Sequence, residues 1–201
     1  DSSFCWIKVT YANMSNSREF LQFVGHGDND YITFNQIYTY NKKRKKLNCI
    51  NSFNTNASYQ NEIVAADKNY VTIHNSDQPA EVGWISWNIP YKYSKGKLVA
   101  ATTSTTTVKS LIANNKKDKY SKYFAKNQFV TAKKLTFYNG SKVAYTVPKG
   151  KVVTLTKLSL SKDVIYLQFK YGKKTGWAHV NGTKYNFSKP WFQGVNARLA
   201  G

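Results

Sequence analysis

Two stretches of the chain carry the same alternating pattern without a gap, and this internal repeat limits the fold more than any other feature. Residues 31–41 (YITFNQIYTYN) align on residues 129–139 (FVTAKKLTFYN). An aromatic opens each stretch, Thr33 matches Thr131, Ile37 matches Leu135, and Tyr40-Asn41 matches Tyr138-Asn139. Further on, Gly83-Trp84-Ile85 aligns with Gly176-Trp177-Ala178, and Asn88 with Asn181. The offset changes from 98 to 93 between these anchors, which one loop-length difference explains. A repeat of this size implies two similar small units rather than one large core. Cys5-Trp6-Ile7 echoes the Gly-Trp segment a third time. Residues 1–10 therefore read either as the closing strand of a truncated preceding module or as a plain N-terminal strand.

Each copy reads as β. Alternating apolar and polar residues rich in Thr, Val, Ile, Tyr and Phe suit a pleated, half-buried surface. In each copy a strand leads to a hairpin tip, at residues 41–46 (NKKRKK) or at Asn139-Gly140-Ser141-Lys142, where Asn-Gly signals a tight turn. Strands follow at 70–74, 151–156 and 164–170, and the Gly-Trp strand closes each unit. Short helical lead segments are expected at 16–24, where Ser17 stands ready to cap and Phe20, Leu21, Phe23 and Val24 have partial helical spacing. Weaker counterparts lie at 108–112 and 119–124. The boundaries read as 11–95 for the first module, 96–188 for the second and 189–201 for an irregular tail on which Trp191 and Phe192 pack down.

Charge divides the chain unequally. The formal net charge is +20. Residues 1–95 hold 10 basic and 8 acidic residues, whereas residues 96–201 hold 20 basic and 2 acidic, a net +18. That far exceeds the net charge of about 2–8 usual for a small soluble domain. Nearly all of it is lysine; arginine occurs only at 18, 44 and 198. Lysine is a hydrated point charge suited to phosphate, whereas base reading in the DNA major groove leans on bidentate arginine. The composition therefore points to a polyanion without a base code. The run at 42–46 reads as a solvated hairpin tip or a polyanion contact before it reads as a targeting signal. Lys116-Lys117, Lys133-Lys134 and Lys173-Lys174 are further pairs. If the start and end of a small barrel neighbour each other, Lys133, Lys134, Lys142, Lys149, Lys151, Lys173 and Lys174 gather around Tyr138, Tyr171 and Trp177. Cations around aromatic faces suit chains of phosphate-linked sugars or polyols.

The residues for catalysis are sparse. Cys5 and Cys49 are the only thiols, and His26, His74 and His179 the only imidazoles. None has a nucleophile–base or metal-ligand spacing. No Gly-x-Ser-x-Gly elbow and no glycine-rich phosphate loop occurs. Asp28 and Asp30 read as a polar turn rather than a general-acid pair. No enzyme activity, cofactor or metal is expected. No apolar run is long enough for a membrane span. The first residues, up to Trp6, read as a cut or processed start. One disulfide between Cys5 and Cys49 is open to the chain in an oxidising compartment.

Repeats ending in Gly-Trp after alternating strands, together with the segment YGKKTGW at 171–177, resemble the bacterial SH3-like wall-binding modules of the Gly-Trp type. The Lys-, Asn-, Tyr- and Thr-rich, Cys-poor style is also similar to surface and S-layer-associated proteins of lactobacilli. The resemblance covers residues 30–185. It implies a mainly β chain of tandem SH3-like small barrels. It implies secretion and non-catalytic attachment to the Gram-positive wall through teichoic or lipoteichoic acid, or to peptidoglycan, with other surface-layer subunits as further partners. Two alternatives stay open: a nucleic-acid binder using lysines and stacking aromatics, and the targeting part of a peptidoglycan hydrolase.

Overall fold

The computed structural model describes residues 5–14, 18–28, 31–53, 61–112, 119–161, 164–180 and 190–195. It is mainly β, built from curled antiparallel sheets. The chain forms two compact units, residues 1–75 with 88–102, and residues 76–87 with 103–201.

In the first unit, β1 (Trp6–Met14), β2 (Arg18–His26), β3 (Ile32–Asn41) and β4 (Lys46–Ser52) form a four-stranded antiparallel sheet in chain order. β1 pairs with β2 from Trp6↔His26 to Met14↔Arg18, so the N-terminal strand runs straight through residue 10. The expected helix at 16–24 is corrected here: residues 18–26 are a strand held between β1 and β3. Phe20, Gln22 and Val24 are buried on one face, while Leu21 and Phe23 stand half-buried on the other. A strand apolar on both faces mimics helical spacing, and pairing on both sides decides between the two. β5 (Glu62–Ala66), the first part of β6 (Val71–Asp77), the later part of β7 (Ile85–Ser94) and β8 (Lys97–Ala100) complete the unit. Its core joins Ala12, Met14, Phe20, Ile37, Ile63, Val71, Ile73 and Leu98. Buried Gln22 is satisfied at both ends of its amide: Nε2 donates to Asn35 Oδ1 at 2.8 Å, and Oε1 accepts from the Ile63 N–H at 2.8 Å. Most buried polar groups in folded proteins have such partners.

In the second unit, the short strands β9 (Ser104–Thr105) and β10 (Lys109–Ser110) precede α1 (Ser121–Phe124), a single helical turn. Of the weaker lead segments, 119–124 thus contains one turn of helix, whereas 108–112 is extended and pairs Lys109↔Ser86 and Ser110↔Ile85. β11 (Gln128–Val130), β12 (Leu135–Asn139), β13 (Lys142–Val147), β14 (Val152–Ser161), β15 (Val164–Tyr171) and β16 (Lys174–Val180) follow. With β9 they form a seven-stranded sheet in which β14, β15 and β16 run side by side and β12 and β13 extend it beyond β16. Phe129 packs against Phe124, Phe169 and Phe192 at ring distances of 5.5, 6.0 and 4.8 Å. Phe192 is held there because the Gln193 N–H donates to Val130 O and Trp191 O accepts from the Ala132 N–H. The tail thus packs down at residues 191–192, while 181–189 and 196–201 lie outside the described residues.

The gap-free repeat does not carry over to equivalent structure. Residues 32–41 form one continuous strand, whereas their counterparts split into β11 and β12 around a bend at 132–133. Gly83 sits in a turn with φ +71° and Trp84 follows it before β7 begins. Gly176 and Trp177 lie within β16. Asn181, paired with Asn88 in the alignment, falls outside the described residues.

Candidate functional site

Two hairpin tips set the geometry of the basic unit. β12 turns into β13 through Gly140-Ser141, with Gly140 at φ +62°. β15 turns into β16 through Gly172-Lys173, with Gly172 at φ +59°. Glycine with positive φ at the first central position is the II′ hairpin turn, whose twist matches the strands it joins. β12 and β16 pair antiparallel at Tyr138↔Trp177, and Asn139 Nδ2 lies 3.5 Å from Thr175 O. The two tips therefore lie side by side at one end of the sheet.

This end gathers cations. Lys142 opposes Asn139 at the foot of one tip, Lys173 lies in the other turn, and Lys174 opposes Tyr171. Lys170 opposes Thr175 on the adjoining strands. All four lysines are exposed. The only acidic residues from position 96 onward, Asp118 and Asp163, lie outside the described residues. Asp77 and Glu81, which belong to the same unit, are buried.

A row holding Tyr138 and Trp177 adjoins this end on the outer face of the sheet, a face that Lys170 shares by alternation, whereas Lys142 and Lys174 alternate to the other face. Register places Val143 opposite Tyr138, Tyr138 opposite Trp177, Trp177 opposite Gln168 and Gln168 opposite Lys157. Tyr138 is 42% exposed and Trp177 half-buried. The next row holds Tyr166 opposite His179, with ring centroids 6.0 Å apart. Cross-strand neighbours on one face stand about 5 Å apart, so each row is a continuous surface.

The ten residues singled out by sequence divide between two places. Lys142, Lys173, Lys174, Tyr138 and Trp177 come together at the tips. Lys133, Lys134, Lys149 and Lys151 gather at the opposite end of the β12–β13 ladder, where Thr131 binds the 148–151 turn through Pro148 O and Lys151 O. Four residues of strand, about 13 Å, separate the two groups. Tyr171 does not join Tyr138: it faces the other side of the sheet and stacks on Tyr145 at 6.3 Å. Tyr145 in turn donates its hydroxyl to Phe169 O at 2.5 Å, and burial pushes its pKa up to about 12. Sequence reasoning missed Lys157, Lys170, Gln168 and Tyr166. Alternation along 164–170 puts Tyr166, Gln168 and Lys170 on one face, but nothing local tells which face is outward. Trp84, a Gly-Trp residue of the first copy, is 49% exposed, and the fully buried indole nearby is Trp87.

Cys5 and Cys49 are free thiols. They lie at opposite edges of the four-stranded sheet, Cys5 beside β1 and Cys49 on β4, and each has its own acceptor. Cys5 Sγ donates to Asp28 Oδ1 at 3.2 Å and Cys49 Sγ to Asn51 O at 3.4 Å. Among the described residues no group of three or more His, Cys, Asp or Glu side chains is placed to hold a metal ion. No described helix is long and apolar enough to cross a membrane. No protein-family model matches the chain, and neither a curated protein nor a solved structure matches it.

Proposed function

We propose that this chain binds, without catalysis, an anionic polymer of the Gram-positive cell envelope, of the teichoic or lipoteichoic class, and thereby anchors or targets a surface protein. The observation that carries the reading is the gathering of Lys142, Lys170, Lys173 and Lys174 at one end of the sheet, with Lys170 on the face of Tyr138 and half-buried Trp177 and with Lys142 and Lys174 on the opposite face. Lysines bind phosphate as point charges and need no fixed approach angle, which suits a flexible phosphodiester chain. Tyr and Trp offer an apolar face with a polar tip to the sugar or polyol between phosphates. The ligand lies outside the cell, so secretion belongs to the proposal, as does an SH3-like origin of the small curled sheets. Peptidoglycan and neighbouring surface-layer subunits are secondary partners under the same reading.

The test uses the full chain, because residues 76–87 belong to the second unit and a cut near residue 95 would remove them from it. Binding to isolated walls is measured across a salt series. The apparent constant should fall steeply with salt, since each neutralised phosphate releases counterions. Replacing Lys142, Lys170, Lys173 and Lys174 together by Gln should flatten the salt slope and weaken binding at least about tenfold. Replacing Tyr138 and Trp177 by Ala should weaken binding with the slope unchanged. Attachment that persists at high salt, or equally on walls stripped of teichoic acid, sinks the reading. Tight single-strand binding without wall binding would assign the same lysines and aromatics to nucleic acid.

A further inference from the structure

The four-stranded sheet of the first unit has two apolar faces. Its inner face carries Ala12, Met14, Phe20 and Ile37 into the core. Alternation and register place a second set on the outside. One row is Tyr11–Leu21–Tyr38–Cys49, the next is Val9–Phe23–Gln36, and Tyr40–Leu47 stands beyond them. Val9 is 56% exposed, Tyr11 58%, Tyr40 49% and Leu47 41%. Phe23 and Tyr38 pack edge to face at 5.5 Å, which joins the rows. Glu19 borders these rows and accepts a hydrogen bond from Tyr11 Oη at 3.2 Å. Apolar patches of this kind on a sheet that already has a core mark a surface for interaction.

The rim of the patch is cationic. Tyr40 and Leu47 are the pair next to the β3–β4 hairpin tip, and that tip is Lys42-Lys43-Arg44-Lys45-Lys46. All five side chains are exposed. The Arg44 N–H donates to Asn41 Oδ1 at 3.0 Å, which fixes the turn. Outside this tip, residues 1–95 hold 5 basic and 8 acidic residues, so the positive charge of this half is concentrated beside the apolar face.

We propose that this face docks on an anionic lipid bilayer. Three features select that occupant. The sheet curls around its core, so the outer face is convex; a fluid interface deforms to a convex surface, whereas a rigid partner finds no groove in it. Tyr11, Tyr38 and Tyr40 are the residue type that sits at the level of lipid headgroups. The five-cation tip meets anionic headgroups, while a second copy of a chain with net charge +20 would bring a like-charged tip and a like-charged body. The surface is distinct from the lysines of the second unit and does not rest on the polymer reading.

The test is flotation of the full chain with phosphatidylcholine vesicles and with vesicles holding about 30% phosphatidylglycerol, a fraction sufficient to give the negative surface potential that attracts basic segments. The chain should bind the anionic vesicles and not the neutral ones. Val9→Ser with Tyr11→Ser, and separately Lys42→Ser with Lys43→Ser and Arg44→Ser, should each weaken binding at least about tenfold. The substitution of Lys142, Lys170, Lys173 and Lys174 by Gln should leave vesicle binding in place. Should the Val9/Tyr11 variant melt lower, Tyr40→Ser with Leu47→Ser reads the same face from its other side. Three results overturn the proposal: no binding to anionic vesicles, full binding by both face variants, or a dimer in light scattering that the face variants dissociate. Loss of vesicle binding only in the Lys142/Lys170/Lys173/Lys174 variant also overturns it, and leaves the polymer reading standing.

Discussion

Cys5 shows how much a single acceptor can change a side chain that sequence leaves open. The thiol stands at the start of β1, and its hydrogen bond to Asp28 is the main reason its pKa is raised; partial desolvation and the Asp28 charge act in the same direction. A raised thiol pKa means less thiolate at a given pH, and the thiolate is the nucleophile. Asp28→Asn removes the charge and weakens the acceptor, so Cys5 should alkylate faster at pH values near 8, on the order of a few-fold. Peptide mass spectrometry after timed iodoacetamide treatment follows Cys5 and Cys49 separately. A Cys5 rate unchanged by Asp28→Asn would mean that Asp28 does not control the thiol. Two cysteines at spacing 44 say nothing of this, because pairing depends on where strands lie in a sheet.

At the scale of elements, legibility followed how local the cause was. The Asn139–Lys142 hairpin was readable because a glycine turn between alternating strands is decided by a few neighbouring residues. The strand at 18–26 was not, because Leu21 and Phe23 cover a second, outer face, and only the pairing partners β1 and β3 show that the spacing is not helical. The Gly-Trp pair shows the same limit. Gly83 is needed for a left-handed turn at φ +71°. Gly176 is needed for close packing: a Cβ there would lie 2.9 Å from Phe137 Cβ, 3.0 Å from Tyr145 Cε1 and 3.1 Å from Ala144 Cβ. One dipeptide thus serves two different physical ends. Gly176→Ala should destabilise the second unit by about 1–3 kcal/mol, the usual cost of overpacking a filled core. Urea denaturation monitored by tryptophan fluorescence measures it. A cost near zero would show that Phe137 and Tyr145 move aside freely, and that the site face above them is less rigid than the packing implies.

For the whole molecule, the charge asymmetry was legible and its arrangement was not. Counting gives +18 for residues 96–201, but only the β12–β16 register shows that Lys142 meets Lys173 and Lys174 while Lys133 and Lys149 lie at the other end. Gathering like charges without nearby carboxylates costs folding free energy through self-repulsion. Salt should therefore stabilise this chain. Raising sodium chloride from about 20 mM to about 500 mM shortens the screening length from about 20 Å to about 4 Å, less than the reach of one tip to the next. The expected gain is on the order of 1–2 kcal/mol, or roughly 3–6 °C in melting temperature for a chain of this length. A polyanionic ligand should stabilise further at low salt, by about 2.7 kcal/mol at a hundredfold excess over its dissociation constant, and lose that effect as salt rises. The two dependences have opposite signs, which separates them in one calorimetric series with and without a soluble polyglycerol phosphate. If salt lowers the melting temperature in the absence of ligand, the lysines are already compensated in the folded chain, and the electrostatic basis for binding a polymer at the hairpin tips fails with it.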